Sequence, residues 1–178
     1  MARLWLLAAL ASVLMALGPR ASAQAQEPAD DKSWQVVGRT QMSVMWFDIY
    51  RATLTNPSGE YQAFTPPLKL EIEYQRDISA ADLVSATDEQ WQHLGVFNDY
   101  RQAWVQQLQG LWPDVSEGDR LALMWYADGS SQFYFNDQAI GSRLAAQFGH
   151  CFLAIWLSQH TSHPQRRLEL IGETSCDC

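Results

Sequence analysis

The stretch from Phe133 to Leu157 constrains the fold more than any other. It opens Phe-Tyr-Phe-Asn-Asp-Gln-Ala-Ile-Gly and continues Ser-Arg-Leu-Ala-Ala-Gln-Phe-Gly-His-Cys-Phe-Leu-Ala-Ile-Trp-Leu. The aromatic triplet reads as a strand, Asn136-Asp137-Gln138 as a tight turn, and Ala139-Ile140-Gly141 as a short returning strand. Ser142 to Ser158 then reads as a helix, with Leu144, Phe148, Cys151, Phe152 and Ile155 on one face. Few charges interrupt the segment, so it is expected at the centre of the fold.

The rest of the chain supplies its partners. Gln41 to Leu54 is predicted as one strand. On it Met42, Val44, Trp46, Tyr50, Ala52 and Leu54 share one face with Asp48, and Met45, Phe47 and Ile49 lie on the other. Asn56-Pro57-Ser58-Gly59 marks a turn. Leu68 to Gln75 alternates apolar with polar residues, the pattern of a half-exposed strand. Ser79-Ala-Ala-Asp82 has the form of a capping box. The helix it opens carries Leu83, Thr87, Trp91 and Leu94 and stops at Gly95. A second helix runs from about Asn98 with Trp104, Leu108, Leu111 and Trp112, ending at Pro113. Arg120–Tyr126 and Gln132–Asn136 form a hairpin through Ala-Asp-Gly-Ser, and Pro164 opens a last short helix ending at Gly172. Strands, helices, strands, helices in that order, without βαβ alternation, predict an α+β domain. Its sheet is mainly antiparallel and covered on one face by a layer of helices.

Residues 1–23 have the form of a signal peptide. Arg3 gives a basic start, the apolar run extends only from Leu4 to Leu17, and Ala21-Ser22-Ala23 offers a small-residue cleavage site. That run is shorter than the roughly 20 residues a bilayer crossing needs, so no stable span is expected after cleavage. Residues 24–33 are expected to be a flexible mature N-terminus, 34–174 a single domain and 175–178 a cysteine-containing tail. The protein is therefore expected to be periplasmic or secreted.

The formal net charge is −8, and the leader carries Arg3 and Arg20 but no acid, so the mature chain is more acidic still. Such a surface opposes phosphate backbones, and nucleic acid is not an expected partner. Eight tryptophans point to a core with broad aromatic faces or to an aromatic-lined pocket. Cys151, Cys176 and Cys178 allow one disulfide at most. A bridge from the tail to Cys151 is one expectation, and loose thiols are the other. Cys176-x-Cys178 and His160-x-x-His163 lack the ligand number of a zinc site, and His150 and Cys151, adjacent on a helix, do not face each other. No metal or cofactor is expected, and nothing in the sequence fixes an oligomeric state.

Four blocks in order carry a resemblance. They are Trp46-Phe47-Asp48-Ile49-Tyr50-Arg51-Ala52, then Leu70-Glu71-Ile72-Glu73-Tyr74 with Arg76-Asp77-Ile78, then Trp91-Gln92-His93-Leu94-Gly95, and Phe133–Leu157 with Pro164. Together, over about residues 36–172, they resemble the bacterial chalcone isomerase-like proteins. The resemblance implies a large sheet, a helical layer and a ligand cleft between them. It also implies where chemistry would sit. The family's plant enzymes close a chalcone to a flavanone, with a Tyr and a Thr holding a water on the ketone and basic side chains on the phenolate. The Tyr, Lys, Asn and Thr positions fall here on Ser79, Asp82, Ala86 and Met45, and none matches. Asp82 would repel the phenolate that a lysine attracts. Fatty-acid-binding relatives hold a carboxylate with an Arg and a Tyr. Arg39 is the candidate for that Arg, and the Tyr position is again Ser79.

These readings lead to an exported binding protein, without flavanone-forming activity, for a small apolar ligand such as a fatty acid. Arg39, Asp48 and Tyr50 are its candidate ligand-binding residues, and no catalytic residue is assigned. The alternatives are an isomerase or lyase with a site rebuilt on Asp48 and Tyr50, and a structural or partner-binding protein of the cell envelope.

Overall fold

The unbroken alternation of Leu68-Lys-Leu-Glu-Ile-Glu-Tyr74 builds the middle of the sheet: its apolar members are buried and its polar ones are half-buried. The structure, a computed structural model, describes residues 34–96 and 98–176. The strands are β1 (Gln35–Val44), β2 (Phe47–Asn56), β3 (Leu68–Tyr74), β4 (Arg120–Trp125), β5 (Ser131–Phe135) and β6 (Gln138–Leu144). The helices are α1 (Ala80–His93), α2 (Asn98–Gln109), α3 (Ala146–Leu157) and α4 (Pro164–Leu170). The sheet runs β1-β2-β3-β4-β5-β6, each neighbour antiparallel to the next.

Register lines up the apolar side chains across the strands. Ala52 pairs with Ile72, Ile72 with Leu121, and Leu121 with Phe135; one step along, Leu54, Leu70, Leu123 and Phe133 form the next row. The alternate rows carry Arg51, Glu73, Glu71, Lys69 and Arg120, with Arg51–Glu73 at 3.9 Å and Lys69–Glu71 at 3.6 Å. Period two therefore sorts the sheet into an apolar face and a charged one. The helices lie on the apolar face. Phe148, Phe152, Phe133, Trp91, Trp104 and Trp112 interlock there, mostly edge to face. Complete burial of each such ring stabilises by about 1.5–3 kcal/mol before conformational entropy is subtracted.

Local chemistry sets the ends of the elements. The Asp82 amide donates to Ser79 Oγ at 3.1 Å, as a capping residue requires, and the Ala80 amide donates to Asp114 Oδ1 at 2.8 Å. The Asp82 carboxylate does not complete the box; it accepts from the Ser79 hydroxyl at 2.6 Å. Asn56 closes its turn by accepting from the amides of Ser58 and Gly59, at 3.0 and 2.6 Å.

Three expectations need correction. The strand predicted over Gln41–Leu54 is a hairpin, with Met45 and Trp46 as its turn between β1 and β2. Trp46 consequently stands 92% exposed rather than on the inner face. The helix predicted from Ser142 begins at Ala146, because Leu144 pairs with Ser131 at the end of β6. Finally, Cys151 does not bridge to the tail: it is a free thiol, and Cys176 is disulfide-bonded. Cys151 is held on α3, where its carbonyl accepts from Trp91 Nε1 at 3.0 Å, while Cys176 lies beside Val36 and Val37 of β1. The leader, the whole 24–33 segment and the last two residues of the tail, 177–178, lie outside the described residues.

Candidate functional site

A cavity of about 320 Å³ opens between the β1–β3 end of the sheet and the helices. Its floor is apolar, with Ile72, Trp112, Leu121 and Phe152 all nearly or wholly buried. α1 contributes Asp82, Leu83, Ala86, Thr87 and Gln90. Ile155 and Trp156 of α3, His163 and Arg166 complete the wall.

The polar groups of the cavity are few and sharply placed. Tyr50 and Tyr74 are cross-strand partners on β2 and β3. Burial raises both phenols, with Tyr74 pushed well above the ordinary tyrosine range, so both are neutral donors at physiological pH. The Tyr50 oxygen accepts from Trp156 Nε1 at 3.3 Å, which ties the sheet to α3. Arg166 reaches in from α4, and its Nε donates to Met42 Sδ at 3.0 Å. Met42 is the register partner of Tyr50, so the guanidinium and the phenol flank the same side chain. The Arg166 charge opposes the rise at Tyr50 and adds to desolvation in lowering His163.

The three candidate residues named from sequence do not meet. Tyr50 lines the cavity. Asp48 is exposed, accepts from Ser43 Oγ at 2.7 Å, and borders a separate shallow depression with Trp46, Phe47 and Arg76. A register shift between Met42 and Ser43 is the cause: Met42 opposes Tyr50, but Ser43 opposes Asp48. The extra residue, Ile49, joins Tyr50 in the cavity wall and breaks the alternation that would have kept Asp48 on that side. Arg39 is exposed on the β1 edge, in a groove with Glu169, Gly172 and Cys176. Of the positions implied by the resemblance, Asp82 and Ala86 face the cavity, Ser79 caps α1, and Met45 is 84% exposed at the hairpin tip. Arg166, the one arginine in the cavity wall, was absent from the sequence-derived candidates. Its distance in sequence from the strands hid it.

Among the described residues, no three His, Cys, Asp or Glu side chains converge as a metal site would require. Nor is any helix among them long and apolar enough to cross a membrane. The cavity holds neutral phenols, one guanidinium, one imidazole and one carboxylate over an apolar floor, an arrangement suited to holding a molecule.

This architecture has counterparts. Residues 21–172 match the chalcone isomerase-like family, and the chain belongs to that family. A relative in Haemophilus influenzae, an uncharacterized protein, is 26% identical over 141 residues, covering 79% of this chain and 69% of the relative. Among solved structures, an Arabidopsis thaliana fatty-acid binding protein superposes with a TM-score of 0.60 at 11% identity. The match covers 83% of this chain and 91% of that one, and at such identity it speaks for the fold.

Proposed function

We propose that this protein is an exported binding protein that holds a small, mostly apolar molecule, such as a fatty acid, between sheet and helices. In this reading it does not form flavanones. The observation that carries it is the cavity: about 320 Å³ over an apolar floor, with phenols that burial keeps protonated. Enclosed apolar space with a few oriented polar groups is the usual form of a small-molecule site. The fold of the plant fatty-acid binding protein supports the same class of ligand. Asp82 and Ala86 stand in the cavity wall where the family's enzymes carry basic and amide side chains, so phenolate chemistry lacks its electrostatic support. A site rebuilt on Asp48 and Tyr50 is not favoured, because Asp48 borders a different depression.

Export rests on the basic start, short apolar run and Ala21-Ser22-Ala23 of the leader. Native mass spectrometry of protein purified from its own host tests both parts. A mass beginning at Gln24 with a co-purifying lipid-like ligand is expected. A ligand-free protein that ignores a panel of fatty acids would overturn the binding reading, and an intact leader would overturn export.

A further inference from the structure

The β1–β2 hairpin ends in four apolar residues that the domain does not cover. Val44 is 47% exposed, Met45 84%, Trp46 92% and Phe47 63%. Val44 and Phe47 are the last register pair of the ladder, so their side chains share a face, and Met45 and Trp46 turn the chain beyond them. No charged residue falls between Thr40 and Phe47. Single exposed apolar residues are ordinary, but a contiguous cluster of large ones marks a surface that meets something. The stability of the fold does not account for it. Met45 holds φ at 55°, where glycine or asparagine is the favoured residue.

The size of the cluster narrows its occupant. A stable protein interface takes roughly 20–30 residues a side, and this convex tip offers four. A bilayer sets no such minimum. Tryptophan settles in its interfacial layer because the ring is apolar and the indole N–H polar. Charge narrows the choice further. Asp48, Arg76 and Glu117 stand exposed at the base of the tip, around one shallow depression with Trp46 and Phe47. A guanidinium beside two carboxylates complements a headgroup that carries both a phosphate and an ammonium. A net-anionic surface would meet those carboxylates and a chain of formal net charge −8.

The tip also has a defined place relative to the cavity. Met42 and Ile49, which line the cavity from β1 and β2, lie three residues to either side of the Met45-Trp46 turn. Insertion of the tip would therefore bring that end of the cavity to the lipid surface.

We propose that the β1–β2 tip is a peripheral membrane anchor. Met45, Trp46 and Phe47 enter the interfacial layer of a zwitterionic phospholipid bilayer, with Arg76 at the phosphates and Asp48 and Glu117 at the ammonium groups. This goes beyond the binding of a ligand in the cavity and does not depend on it.

Flotation with phosphatidylcholine vesicles, using the protein purified from its own host, tests the anchor. The native protein is expected to float. Brominated phosphatidylcholine should quench its emission, since Trp46 is the most exposed of the described tryptophans. Trp46→Ser should lower the partition coefficient roughly tenfold or more and remove most of the quenching, whereas Trp46→Phe should keep most of the binding. Tyr100→Ser, which removes an exposed ring from α2, should float as the native protein does. Including phosphatidylglycerol in the vesicles should weaken binding. Absence of flotation overturns the proposal. So does a Trp46→Ser variant that floats like the native protein, because the contact then lies elsewhere in the chain. Stronger binding to the anionic vesicles overturns the zwitterionic assignment. A protein that ignores vesicles but self-associates, and ceases to in Trp46→Ser, gives the tip to a second copy and overturns the lipid contact. The cavity is tested separately by its co-purifying ligand, so failure of either reading leaves the other standing.

Discussion

Gly38 of β1 lies directly against the backbone of Leu170 at the end of α4. A Cβ placed on Gly38 would come within 2.5 Å of the Leu170 carbonyl oxygen and 2.2 Å of that of Glu169. These are backbone atoms, so no rotamer change relieves the clash. The Thr40 hydroxyl donates to the Glu169 carboxylate beside this contact, further fixing α4 on the sheet edge. Because α4 carries Arg166, this glycine on the edge strand, outside the cavity lining, helps set the position of its cation.

Gly38→Ala is therefore expected to destabilise the protein by about 1–3 kcal/mol, the usual cost of overpacking. Urea denaturation measures it. The same variant should weaken binding of dodecanoic acid, since the helix that must shift carries Arg166 of the cavity wall. An unchanged urea midpoint would mean that α4 docks more loosely than this contact requires.

The hydrogen bond from Trp156 to Tyr50 joins α3 to β2 across the cavity wall. Tyr50→Phe and Trp156→Phe each remove it from one side. A double-mutant cycle should show a coupling of about 0.5–1.5 kcal/mol, the net worth of a neutral hydrogen bond. Coupling indistinguishable from zero would mean that water replaces either partner freely.

The elements legible in the sequence were those whose cause is local. Leu68–Tyr74 announces β3 by alternation alone, Ser79 announces the start of α1, and Asn56 announces its turn through its own side chain. The β1–β2 turn was illegible for the converse reason: Met45 and Trp46 occupy positions where glycine or asparagine would have signalled it. The face of Asp48 was lost with it, since the register shift after Met42 is a property of strand pairing. Arg166 follows the same logic. Nothing in Pro-Gln-Arg-Arg-Leu-Glu-Leu distinguishes it from Arg167; only docking of α4 on β1 turns the first arginine to the cavity and the second to the Leu157 carbonyl.

The Met45 backbone yields a separate prediction. Its φ is 55°, the left-handed region that costs a residue of ordinary side chain about 1–2 kcal/mol. The side chain recovers little, being 84% exposed. Met45→Asn should raise stability by about 0.5–1 kcal/mol in urea titrations, because asparagine tolerates this conformation. Trp46→Ser, at the equally exposed neighbouring position, should leave the urea midpoint unchanged. A loss of stability in either variant would show that the tip packs on the domain.

Acid should weaken the fold in two separate steps. Desolvation, aided by Arg166 and His93, lowers His163 in the folded state, so the unfolded chain takes up that proton first. The stability associated with neutral His163 is present above its ordinary value near 6.5 and declines as pH falls below it. Asp119 is lowered by accepting from Asn136 Nδ2 at 2.8 Å and from the Ser116 amide at 2.7 Å. Asp128 is lowered by the hydroxyl and amide of Ser130, at 2.7 and 2.9 Å. Their stability is fully present above the ordinary carboxylate value near 3.9 and is lost as pH falls through their depressed folded values. The urea midpoint followed from pH 8 to pH 3 should therefore fall first near pH 6 and again below pH 4. His163→Gln should flatten the upper step alone, and Asp119→Asn should diminish the lower step alone. An upper step that survives His163→Gln would assign it to another group and remove the coupling between this histidine and the cation on α4.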